Sequence, residues 1–73
     1  MTKFFKKYVN RRIQERLLVS GLKYGELWKY KEGEYLPMPA TFYKMIFVIA
    51  VELDLNVDDV LFDAVQYIIG DKK

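Results

Sequence analysis

The sequence predicts an all-α domain, a compact bundle of four short helices. Three observations predict it. Apolar residues recur at helical spacing over residues 3–19, 42–53 and 57–69. Strong breakers separate those runs: Ser20-Gly21, Pro37-Met38-Pro39 and Asp54-Leu55-Asn56. The chain is 73 residues long, 52% hydrophobic and 16% aromatic, which supplies one dense core and no linker to a second, so residues 1–73 read as a single domain.

Residues 3–19 read as one helix. Phe5, Val9, Ile13 and Leu17 form an apolar stripe with Tyr8 beside it, flanked by Lys3, Lys6, Arg12 and Arg16. Thr2 stands where a cap belongs, and Gly21 can end the helix in the left-handed conformation. Residues 22–29 are predicted as a short helix anchored by Leu22, Leu27 and Trp28, although Gly25 costs about 1 kcal/mol of propensity. The other reading of residues 29–36 is a brief hairpin or extended stretch, because Trp28, Tyr30 and Tyr35 alternate around Glu32-Gly33.

Two prolines one residue apart cannot both sit inside a helix, which leaves Thr41 as the cap of a helix over 42–53. Its inner face is Phe42, Met45, Ile46, Ile49 and Leu53, while Phe47, Val48 and Val51 leave little of the far side polar. A helix apolar nearly all round is central in its domain or covered by another chain, and the second is expected here. Asn56 caps the last helix, over 57–69, with Asp59 completing an approximate capping box and Asp58 adding favourable charge. Val57, Leu61, Ala64, Val65 and Ile68 should pack inward, and Val60, Phe62 and Ile69 widen that face. Gly70 stops the helix before a polar tail at 71–73.

Charge is divided along the chain. Residues 1–31 carry nine basic and two acidic side chains, and residues 32–73 carry three basic and eight acidic ones, giving the net +2. A basic half steers toward a polyanion while the acidic half keeps the chain dispersed. The chain has no cysteine and no histidine, which excludes disulfides, thiolate metal sites and the usual general base near neutral pH. No signal peptide is visible, and the apolar run from Met45 to Val51 is far short of a membrane span, so a cytoplasmic location is expected.

The second half resembles the end of a Cro/C1-type helix-turn-helix domain, the fold of many phage and plasmid repressors. The resemblance rests on Leu36, Pro37, Pro39, Thr41 and Lys44, leading into Ile49, Ala50, Leu53, Leu55, Asp58, Asp59, Val60 and Leu61. It covers residues 36–61. Two registers connect it to the first half. One sets Gly21-Leu22-Lys23-Tyr24-Gly25-Glu26-Leu27 at the start of the family's second helix and leaves too few residues for a recognition helix. The other sets Gly21-Leu22 in the turn before that helix, with Leu27 on its buried face and Tyr30 and Gly33 at its end. It puts Arg16 and Leu17 where the family has a buried leucine and an alanine.

The resemblance implies a small transcriptional regulator that binds duplex DNA as a homodimer. Lys7, Arg11, Arg12 and Arg16 are the expected phosphate contacts. Lys23, Tyr24, Glu26 and Lys29 are the expected base readers if residues 23–30 enter the major groove. Phe47, Val51, Phe62 and Ile69 are the expected dimer or partner surface. The alternative is a non-enzymatic interaction module, an antirepressor or inhibitor of another regulatory protein, on a degenerate helix-turn-helix scaffold. Its surface would draw on Tyr24, Trp28, Tyr30, Tyr35 and Tyr43. No catalytic residues, metal or cofactor are expected: capping and solvation account for Asp54, Asp58, Asp59 and Asp63. A membrane-surface role would need Phe4 and Phe5 to insert beside Lys6 and Lys7.

Overall fold

Helix formation along the chain is set by caps more than by the length of each apolar run. A computed structural model describes residues 2–70 and shows five helices among them and no strand. These are α1 (Thr2–Tyr8), α2 (Arg11–Val19), α3 (Tyr24–Glu32), α4 (Pro39–Leu53) and α5 (Val57–Gly70).

The expected helix over 3–19 is therefore two helices, and four becomes five. Asn10 causes the break. Its backbone is extended at φ −92° and ψ −177°, and its Oδ1 accepts the Ile13 N–H at 2.9 Å. Asparagine gains more as a cap than inside a helix, because its side chain replaces a missing backbone acceptor. The apolar stripe survives the break: Phe5, Ile13 and Leu17 are buried and Val9 is half-buried. Phe4 is fully buried as well, so the insertion of Phe4 and Phe5 into a membrane surface is overturned. Thr2 lies inside α1 and does not precede it.

Three helices end in one way. The N–H groups of Gly21 and Leu22 donate to Leu18 O and Leu17 O, those of Gly33 and Glu34 to Tyr30 O and Lys29 O, and those of Asp54 and Leu55 to Val51 O and Ala50 O. Each pair of bonds needs a left-handed residue, and φ is 115° at Gly21, 80° at Gly33 and 55° at Asp54. The second ending carries α3 through residue 32, so the hairpin reading is overturned and Trp28 and Tyr30 are helical. An irregular connection remains only over residues 33–38.

Pro39 occupies the first turn of α4, where its fixed φ suits the helix and its missing N–H is not needed. Thr41 consequently lies within the helix, not at its cap. Asn56 Oδ1 accepts the N–H groups of Asp58 at 2.8 Å and Asp59 at 3.4 Å, which starts α5. Gly70 is the last residue of α5, and the tail at 71–73 lies outside the described residues.

One core joins the helices. α4 lies centrally, packed on both α2 and α5, while α1 bridges α3 and α5. Its Met45, Ile46, Ile49 and Ala50 meet Phe4, Ile13, Leu17, Leu27, Tyr30, Val60 and Ala64 in the same buried cluster. Leu53 and Val57, expected to face inward, are exposed at the α4–α5 corner, where the left-handed Asp54 turns the chain. The radius of gyration is 11.1 Å, as expected for a close-packed chain of this length at about 11 Å.

Candidate nucleic-acid interface

α2 and α3 are nine-residue helices joined by Ser20, Gly21, Leu22 and Lys23. Leu22 is buried and draws the connection onto the core, while Gly21 reverses the chain. Ser20 Oγ donates to Leu17 O at 2.7 Å, and Lys44 Nζ on α4 donates to Ser20 O at 3.2 Å. A cation on the last carbonyls of α2 also complements the negative end of that helix. No local signal marks this role of Lys44, since α4 is far from α2 along the chain.

The N-terminus of α2 has the opposite property. Its first turn holds Arg11 and Arg12 and no carboxylate. Two cations sit at the positive end of a helix, a placement that opposes the dipole and favours a bound anion there.

The four expected phosphate contacts are not held alike. Arg12 Nε and Arg16 Nε lie 3.2 and 3.3 Å from the two oxygens of Glu52 on α4. Their side chains remain 75% and 54% exposed, while Glu52 is 16% exposed. One carboxylate cannot neutralise two guanidinium groups, and exposed ion pairs contribute only about 0–1 kcal/mol. Arg11 meets no carboxylate among the described residues. Lys7 is drawn to α5 instead, 2.7 Å from Asp63 Oδ2, and the Tyr8 hydroxyl donates to that same oxygen. The hydrogen bonds from Lys7 and then Tyr8 hold the Asp63 carboxyl below its ordinary range, and the same pairing raises Lys7. Burial, with the Asp63 bond added, raises Tyr8. This cluster fastens α1 to α5, so Lys7 is the least available of the four.

The expected base readers gather on and just before α3. Lys23 precedes the helix in an extended conformation, Tyr24 and Glu26 lie in its first turn, and Lys29 follows one turn later. All four are exposed. Lys29 Nζ lies 5.7 Å from the Tyr35 ring centroid and Lys31 Nζ 5.1 Å from that of Trp28. Lys31 and Trp28 were not among the expected readers. Lys31 also lines a groove of about 350 Å³ with Phe5, Lys6, Val9 and Gln14, which has no acidic wall.

The four expected partner residues are all exposed but fall in two places. Phe47 and Val51 line a groove of about 210 Å³ with Val19 of α2, bordered by the paired Arg16 and Glu52. Phe62 and Ile69 do not line it; they stand on α5 opposite the buried Val60 and Ala64.

Among the described residues no helix is long and apolar enough to cross a membrane, and no three acidic side chains are grouped as metal ligands. Comparison with family models, curated proteins and solved structures returned no match to this chain.

Proposed function

We propose that the chain is a small, non-enzymatic transcriptional regulator that binds duplex DNA as a homodimer, with α2 and α3 as a Cro/C1-like helix-turn-helix. The supporting observation is the pair of nine-residue helices joined by four residues through the left-handed Gly21. Short helices linked by a three- or four-residue glycine turn are the form of that motif. The bounds of α3, with Leu27 and Tyr30 buried and Gly33 ending it, favour the register that has Gly21-Leu22 in the turn. Arg11, Arg12 and Arg16 would meet phosphate, and the exposed side of α3 would enter the major groove.

Binding should be strongly salt-dependent. Three phosphate contacts per protomer, six in the dimer, predict a loss of about 2,000-fold in affinity between about 50 and 200 mM salt. Titration of the full chain against random and phage-derived duplexes measures this. Absence of binding at micromolar protein in low salt would end the proposal.

The second reading, an interaction module for another regulatory protein, is favoured by one observation. Tyr24, Trp28, Tyr35, Leu36, Met38 and Tyr43 are all exposed on or near α3 and the start of α4. Aromatic groups of that kind anchor protein interfaces. It would be supported by capture of a defined regulator together with no salt-sensitive DNA binding.

A further inference from the structure

Gly25 is a helical residue with no structural reason to be glycine. Its φ is not in the left-handed region, unlike those of Gly21 and Gly33. A Cβ built on it would meet nothing within 4 Å. Neither backbone conformation nor packing within this chain calls for glycine at this position, the second of α3. The bare backbone leaves room there for close approach of something outside the chain.

The surroundings say what would approach. Leu27 and Tyr30 are the buried face of α3, which puts Gly25, Trp28, Lys29 and Glu32 on the opposite side at spacings of three and four. Trp28 is the only tryptophan in the chain and is 48% exposed. The lysine ammonium of Lys31 lies over its ring, Lys23 precedes the first turn of α3, and Lys29 stands in its last turn. The feature is an open notch beside an indole, within the basic half of the chain.

We infer that Gly25 and Trp28 form a thymine-reading notch on α3, an inference that rests on the DNA-binding reading above. A helix with its side chains is about 10–12 Å across and the major groove about 12 Å wide, so a leading face without a side chain seats deeper. Thymine alone offers an apolar group in that groove, its 5-methyl, next to the O4 acceptor. Indole is its chemical complement, an apolar ring whose one polar group is an N–H donor. The expected readers Lys23 and Lys29 then lie where phosphates flank the contact, and Gly25 and Trp28 carry the sequence preference.

The test uses duplexes selected from a random pool by the full chain. Replacing each thymine by uracil removes only the methyl group, and should weaken binding by about fourfold for each methyl contacted. The Trp28→Ala variant should bind thymine and uracil duplexes equally, and Trp28→Phe should recover part of the difference. The Gly25→Ala variant should melt at a higher temperature than the parent and yet bind the selected duplex at least tenfold more weakly, by about the scale of one lost base contact. Emission from Trp28 should change on binding. A parent that binds the selected duplex but ignores the uracil exchange, or a Gly25→Ala variant with unchanged affinity, overturns the notch while leaving DNA binding intact. A parent that binds no duplex at low salt overturns both.

Discussion

Replacing Asn10 by alanine tests the feature that most separates this fold from its sequence pattern. Asn10 is exposed, so the change opens no cavity. It removes one bond, from the Ile13 N–H to Asn10 Oδ1 at 2.9 Å. Loss of such a cap costs about 1 kcal/mol. Residue 10 has an extended backbone, so the higher helix propensity of alanine brings nothing in return. In a domain of this size about 1 kcal/mol lowers the melting temperature by roughly 4–8 °C. Had residues 3–19 formed one helix, the same change would place the best helix former in its interior and raise stability by about 0.5 kcal/mol. The two arrangements predict opposite signs. Thermal and urea unfolding followed by circular dichroism decides between them, and a melting temperature equal to or above that of the parent refutes the cap. The break also has a functional consequence, because it creates the α2 N-terminus at which Arg11 and Arg12 stand.

Arg11→Glu should raise the melting temperature by removing a cation from the positive end of α2, and should reduce DNA binding on every sequence tested; a fall in stability would refute the dipole argument. Asp63 has a lowered pKa, so its contribution to stability is present above the ordinary carboxylate value and is lost as pH falls through the lowered one. Lys7, raised, contributes below its ordinary value and loses that as pH rises through the raised one, so stability should sag at both extremes. Asp63→Asn should flatten the acid limb of a stability–pH profile, and an unchanged limb would show that the α1–α5 clamp contributes nothing. Sedimentation at micromolar concentration should give a dimer that Phe47→Glu or Phe62→Glu dissociates, the effective variant identifying the surface; a monomeric parent would sink the homodimer.

The helical class, the breakers and most of the core were legible because burial follows periodicity. Leu17, Leu27, Met45, Ile46, Ile49 and Ala64 could be placed from spacing alone, and all are buried. The break at Asn10 was not legible, because Phe5, Ile13 and Leu17 stay on the inner side whether or not the chain bends between them. A single cap bond decides it, and periodicity does not register a cap. The hairpin reading failed for a related reason. Trp28 points outward and Tyr30 inward from opposite sides of one helical turn, which imitates alternation over three residues. At the start of α4, Thr41 suits a cap, but Pro39, two residues earlier, already meets the needs of a first turn. In the candidate site the residue types were legible and their partners were not. Glu52 and Asp63 reach their cations across half the chain, with no local trace.

Those partners bear on whether the divided charge cancels itself on folding. Glu52 takes two guanidinium groups and Asp63 one ammonium and one hydroxyl, so two carboxylates engage three cations. Asp58 and Asp59 are occupied at the N-terminus of α5, and Asp54 turns the chain after α4. Lys3, Lys6, Arg11, Lys23, Lys29 and Lys31 meet no carboxylate among the described residues. Exposed pairs such as those to Glu52 contribute at most about 1 kcal/mol, within reach of displacement by a phosphate that brings its own charge. A chain that used its acidic half to neutralise its basic half would match carboxylates to cations one for one. Here one half-buried glutamate holds Arg12 and Arg16 side by side with their charge still open to water, which positions the pair without silencing it.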